Sequence, residues 1–193
     1  MNISEVITTI WVFVKRRKKT KKFRFDPYLF VVICFSLALF ASVVRYARRS
    51  FQFPQWDEQH YMQMAAEFYR ILQHPSFSSV NEILTVIPHR QPLYPLLVTP
   101  FLLIFGLSHS YFWALVTNGL LYGATIIGVF LLSKLYLSKA SSVLAAIIFG
   151  CYAWPLFWLH LVYTETATTA FVVWTIFFLI KSDLFRRRKY TLL

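Results

Sequence analysis

The chain has 193 residues, of which 58% are hydrophobic and 19% aromatic, with 15% charged and a formal net charge of +12. A soluble domain carries about a quarter charged residues, and here the apolar residues come in long blocks of the roughly 20-residue size that crosses a hydrocarbon core. The basic residues cluster at the ends of those blocks with no nucleic-acid motif beside them, so the charge fits orientation in a membrane and attraction to headgroups, and nucleic acid is excluded as a partner.

In chain order, residues 3–14 are weakly apolar, and the basic run 15–24 follows them. A signal peptide has the reverse order, so this stretch reads as a short interfacial helix. The first span is expected at 27–44, PYLFVVICFSLALFASVV. The eight Lys and Arg residues before it put the N-terminus in the cytoplasm. Arg45, Arg48 and Arg49 follow this span and oppose that orientation, but they are outnumbered, and the first two can snorkel to headgroup phosphates.

Residues 50–91 form the long polar segment and belong outside. Within it, Tyr61, Met64, Ala65, Phe68, Ile71 and Leu72 recur at helical spacing, while Gln59, His60, Gln63, Glu67, Arg70 and Gln73 lie off that stripe. This predicts an amphipathic helix over 57–73, lying on the membrane surface or on other helices. Residues 93–107 are apolar but carry Pro95 and Pro100, with Pro92 just before them. Proline removes backbone donors, so a proline-broken juxtamembrane helix is expected there. Later spans are expected at 111–132, 140–158 and 166–180. With these, Lys134, Lys139 and the cluster Arg186 to Lys189 all fall inside. Cys34 and Cys151 lie in apolar blocks and read as small packing residues.

The expected fold is therefore an all-α integral membrane protein. It has about four transmembrane helices, with amphipathic juxtamembrane helices in the first outer loop. Its parts are a cytoplasmic basic segment (1–26), a transmembrane module (27–181) and a cytoplasmic basic tail (182–193). Both termini are cytoplasmic, the plasma membrane is the expected location, and the active face is outside.

This topology gathers three polar clusters on the outer side. They are Trp56-Asp57-Glu58 with His60 and Tyr61, then His89-Arg90-Gln91, then His160 with Thr164-Glu165. Ionisable residues at membrane boundaries are costly and point to function. The order WDEQHY, HRQPLYPLL, FLLIFG and LVYTETATTAF over residues 28–180 resembles the N-terminal half of GT-C-type membrane glycosyltransferases. The protein O-mannosyltransferases and aminoarabinose transferases are nearest in pattern.

The resemblance implies transfer of a sugar from a polyprenyl-phosphate donor to a protein, lipid or glycan acceptor outside the cytoplasm. It matches Asp57 and Glu58 to an outer-loop acidic pair, Arg90 to a basic residue before Pro92-Leu93, and Glu165 to an acid opening a later span. Relatives often carry Lys at the Arg90 position and two prolines after it; Gln91 stands in place of the first. They also have many more spans, so a second chain supplying helices is a further implied partner, and the alternative reading is a non-catalytic split or truncated relative. A small transporter or assembly factor ranks last, because few polar residues fall in mid-span.

In chemical terms, a lipid phosphate leaves readily and the acceptor needs a positioned base. Asp57 and Glu58 are the candidate catalytic residues, with Asp57, at a helix N-terminus, as the base. Arg90 would hold the phosphate, with His89, Tyr61 and Glu165 around the substrate. Each residue also has a plainer reading. Asp57 is a favoured N-cap, Glu58 a first-turn acid, Arg90 a headgroup anchor, Glu165 the cap of the last span, and Tyr61 a packing aromatic. No cofactor is implied. His60, His89 and His160 leave a divalent metal as an alternative, though they lack close ligand spacing.

Overall fold

The computed structural model describes residues 26–49, 56–86, 91–152, 156–157, 159–162 and 164–182. The expected interfacial helix over 3–14, the basic run 15–24, the tail after 182, and His89 and Arg90 lie outside the described residues. Among the described residues every regular element is helical: α1 (Pro27–Arg49), α2 (Trp56–Gln73), α3 (Ser79–Thr85), α4 (Leu93–Phe105), a 3-10 turn (Leu107–His109), α5 (Ser110–Ser133), α6 (Lys139–Cys151) and α7 (Glu165–Lys181). Two helical segments, Pro27–Arg49 and Leu107–Ser133, are long and apolar enough to cross a membrane, and α4 and α6 are shorter apolar helices.

α1 begins on a cap that the sequence reading did not single out. The Asp26 carboxylate accepts from the Tyr28 N–H at 3.2 Å and its carbonyl accepts from the Phe30 N–H at 3.1 Å. Pro27 follows at the position where a missing N–H costs nothing. The helix runs past Val44 to Arg49, one turn beyond the apolar block.

The expected break at the prolines of 93–107 is not seen, because α4 continues through Pro100. Pro95 falls in the first turn, where no intrahelical donor is required, and Pro100 removes a single backbone bond. The helix stops at Gly106 instead. That residue has φ +79° and ψ 178°, a backbone shape open to glycine alone. The corner between α4 and α5 is pinned by Trp113, whose ring stacks on Phe105 (4.1 Å between centroids) and Phe101 (5.6 Å).

α5 is the central helix. It packs against α1, α4, α6 and α7. Glycines set how close these neighbours come. A Cβ on Gly119 would lie 2.9 Å from the Phe40 ring, one on Gly128 2.8 Å from Val173, and one on Gly150 of α6 2.5 Å from Phe35. Gly119 and Gly123 both face α1, the small-xxx-small spacing by which apolar helices approach through packing alone. On another side of α5, Trp174 of α7 donates to the Ala124 carbonyl at 3.2 Å.

α6 ends at Cys151, well short of Trp158. At 1.5 Å per residue its 13 residues span about 20 Å, less than the ~30 Å hydrocarbon thickness. The last carbonyls of a helix lack intrahelical partners. Here the Tyr122 hydroxyl of α5 donates to Gly150 at 3.1 Å and Phe149 at 3.3 Å.

The bundle has two distinct ends. At one, the Lys134 ammonium meets Asp26 at 2.6 Å, with Lys139 at 3.9 Å. That hydrogen bond from Lys134 holds the Asp26 carboxyl below its ordinary value of 3.8, against a smaller upward push from partial burial. At the other end His160 packs edge-on against Tyr46 with centroids 4.5 Å apart. The flanks between are apolar: Leu37 on α1, Leu144 and Ile148 on α6, and Phe171, Val172 and Ile176 on α7 are exposed, Ile148 at 60%. Cys34 and Cys151 also stand exposed, so neither packs inside as expected.

Candidate functional site

The amphipathic stripe of α2 turns inward as its spacing predicts: Tyr61, Met64, Ala65 and Phe68 are buried. Gln59, Gln63 and Gln73 are exposed, and Arg70 is exposed and pairs with Glu67. The helix packs on α4, where the Tyr61 and Tyr94 rings meet edge-on at 6.1 Å. Tyr94 in turn donates to the Ala114 carbonyl of α5 at 3.0 Å. Tyr61 is thus a packing aromatic with its ring inside the protein.

Glu58 opens the same inward stripe, one turn before Tyr61, and is 1% exposed. Its Oε1 accepts from the Val162 backbone N–H at 2.7 Å and from the Tyr111 hydroxyl at 3.1 Å. On the other side of the same peptide group, the Leu161 carbonyl accepts from Asn118 Nδ2 at 2.5 Å. One peptide unit, between Leu161 and Val162, is therefore gripped at both poles, by a carboxyl from α2 and an amide from α5. A buried backbone group needs such partners, and this stretch is neither helix nor strand.

Asn118 is fully buried, and among the described residues its Oδ1 has no hydrogen-bond partner. Thr117, also buried, returns its hydroxyl to the Trp113 carbonyl at 2.9 Å and so adds no free group.

Asp57 precedes Glu58 in the first turn and is half-buried. Successive helical residues are rotated by about 100°, so the two carboxylates leave α2 in different directions. The first-turn position places Asp57 in the positive field of the helix N-terminus. Glu165 is exposed in the first turn of α7, shortly after the gripped peptide. His160 is held by its ring Nδ1 against the Leu156 carbonyl at 2.8 Å. The structure thus brings Glu58, Tyr111, Asn118 and the 161–162 peptide into one network. It places Asp57, Glu165 and His160 at the same end of the bundle.

Asn118 and Tyr111 were missed as site residues by the sequence reading. Asn118, the one amide in an otherwise apolar helix block, was the signal that could have found the first. Among the described residues no group of three His, Cys, Asp or Glu side chains is placed to hold a metal ion. Compared with known proteins, the chain matches no family model, no curated protein and no solved structure.

Proposed function

We propose that this chain is a multi-pass membrane module of GT-C type. In this reading α1, α5, α7 and the longer stretch that α6 opens cross the bilayer, and the end bearing Asp57, Glu58, Glu165 and His160 faces outside. The observation that carries the membrane half is the inverted surface: large aliphatic and aromatic side chains stand on the outward flanks of α1, α6 and α7, while Glu58, Asn118, Thr125 and Ser142 are buried. Monomers in water rarely expose apolar surface on several sides at once. The Asp26, Lys134 and Lys139 cluster then marks the cytoplasmic end, in line with the basic run before α1.

The proposed reaction is sugar transfer from a polyprenyl phosphate to an acceptor hydroxyl or amine. The new bond joins the acceptor atom to the anomeric carbon, and the bond from that carbon to the phosphate oxygen breaks. The lipid phosphate departs with the electron pair. The acceptor proton passes to the Asp57 carboxylate in the first turn of α2. Glu58 positions it: by gripping the 161–162 peptide, Glu58 fixes the first turn of α2 against the start of α7. The roles of Arg90 and His89 in holding the phosphate rest on the resemblance alone.

A second reading, a non-catalytic half that needs a partner chain, is favoured by the same clamp. A carboxylate committed to a peptide N–H leaves Asp57 to act without its paired acid.

The test is transfer in membranes containing the chain, supplied with radiolabelled polyprenyl-phosphate sugars. Transfer in the parent that is lost in Asp57→Asn supports the enzyme. Transfer that survives Asp57→Asn refutes the assigned base. Transfer only after a second chain is added supports the partner-dependent reading.

A further inference from the structure

The outer end of α1 carries a feature that this reaction does not use. A groove of about 310 Å³ runs along one face of the helix, lined by Ala41, Val44, Arg45, Arg48 and Arg49. These positions follow the i, i+3, i+4, i+7, i+8 spacing of one helical face. All three arginines are exposed, and among the described residues none lies within salt-bridge distance of a carboxylate. Three adjacent cations repel one another. Arg48 and Arg49 gain some relief from the negative pole of the helix end, which acts only within the last turn. Arg45 lies outside that turn.

The groove is graded along the helix axis. The guanidinium groups mark its outer rim, Val44 and Ala41 form its floor, and the exposed Ala38, Leu37 and Cys34 continue the same flank inward. From Arg45 to Cys34 the helix rises about 16 Å, close to the ~15 Å depth of one leaflet. A free anion would need the cationic rim alone. An amphiphile with a phosphate head and a hydrocarbon tail uses both halves. Guanidinium suits phosphate oxygens, with fork-shaped donors that an ammonium lacks. Small side chains at Ala38 and Ala41 leave room for a chain against the helix.

We propose that this flank of α1 is a binding site for an anionic phospholipid of the outer leaflet, with its phosphate between Arg45, Arg48 and Arg49 and one acyl chain over Ala41 and Val44. The proposal rests on the membrane reading and is independent of sugar transfer. It also gives a reason for cations placed against the positive-inside bias: the lipid supplies the missing counter-charge.

The test is lipid retention by the full chain in phosphatidylcholine nanodiscs doped with phosphatidylglycerol, read by native mass spectrometry after release into neutral detergent. Each basic residue near a lipid surface contributes about 1 kcal/mol, so Arg45→Gln, Arg48→Gln and Arg49→Gln together should weaken retention on the order of 100-fold. Ala41→Trp fills the floor without touching the charge and should weaken it as well. Far-UV circular dichroism reports that both variants keep their helix content; the substituted side chains are exposed, so they should. Retention unchanged in the triple-arginine variant overturns the proposal. So does Ala41→Trp binding like the parent, or inorganic phosphate displacing the lipid at equal concentration, since either leaves only a surface anion site.

Discussion

Replacing Glu58 separates a structural clamp from a reacting acid. In Glu58→Ala the Val162 N–H loses its acceptor in a place where Glu58 itself is 1% exposed. A buried donor left unmade costs about 1–3 kcal/mol. The void left by the side chain adds about 1 kcal/mol. The Tyr111 hydroxyl is on a half-buried residue and can turn to water, so it adds little. The expected loss is about 2–4 kcal/mol. Glu58→Gln keeps an oxygen for Val162 and the same shape, and should lose about 1 kcal/mol. Asn118→Leu releases the Leu161 carbonyl but also removes the unpartnered Oδ1. Interhelical hydrogen bonds in bilayers average about 0.6 kcal/mol, so this variant should also lose under about 1 kcal/mol. The assay is thermal unfolding in a mild non-ionic detergent, followed by circular dichroism. At about 2–4 °C per kcal/mol for this size of chain, Glu58→Ala should melt at least ~4 °C lower. Melting within about 1 °C of the parent would refute the clamp. So would an order in which Glu58→Gln falls below Glu58→Ala.

Two further outcomes follow from packing and charge. Gly150→Ala places a Cβ 2.5 Å from the Phe35 ring and 3.2 Å from Ile126. An overpacked contact of this kind costs about 1–3 kcal/mol, whereas Gly123→Ala, with its nearest neighbour at 3.7 Å, should be neutral in the same melts. The Asp26 carboxyl titrates below its ordinary 3.8 because Lys134 is bonded to it. Its contribution to stability is therefore fully present above that pH and is lost as pH falls through the lowered value. Melting temperature measured across this acid range should drop in the parent. In Asp26→Asn, which keeps the cap but loses the charge, that part of the drop should vanish; an identical pH profile would refute the pairing.

The helical class and the inward stripe of α2 were legible in the sequence because both depend on local periodicity. Tyr61, Met64, Ala65 and Phe68 are buried as their spacing requires. Boundaries were less legible where tertiary partners decide them. α6 stops at Cys151, four residues before Pro155, the spacing at which a proline ring clashes with a helix carbonyl; Tyr122 from another helix donates to its last carbonyls, a partner that residues 140–158 taken alone do not encode. A helix was legible over 93–107 and is seen at Leu93–Phe105, but the break expected at its prolines is absent, because Pro95 sits where a helix tolerates proline and Pro100 costs one bond. At the site, Asp57, Glu58 and Glu165 were expected at one end of the bundle, and they share it. The grip of Glu58 on the 161–162 peptide joins residues far apart in the chain, a pairing that periodicity cannot express. Asp26 escaped notice because its partners, Lys134 and Lys139, follow α5, Lys134 lying 108 residues further along the chain.

The glycine faces of α5 also set an order of assembly. α1 precedes α5 and α6 in the chain, yet the hollows that receive Phe40 and Phe35 are at Gly119 on α5 and Gly150 on α6, both much later. In the proposed bilayer setting α1 must dwell as a lone helix, with those aromatic rings against lipid, through the making of α2, α3 and α4. Helices that insert independently and associate afterwards tolerate such a wait. When α5 arrives it meets α1 on the Gly119 and Gly123 side and later receives α7 on the Gly128 side, so α1 and α7 close around α5, with α7 sealing the side away from α1.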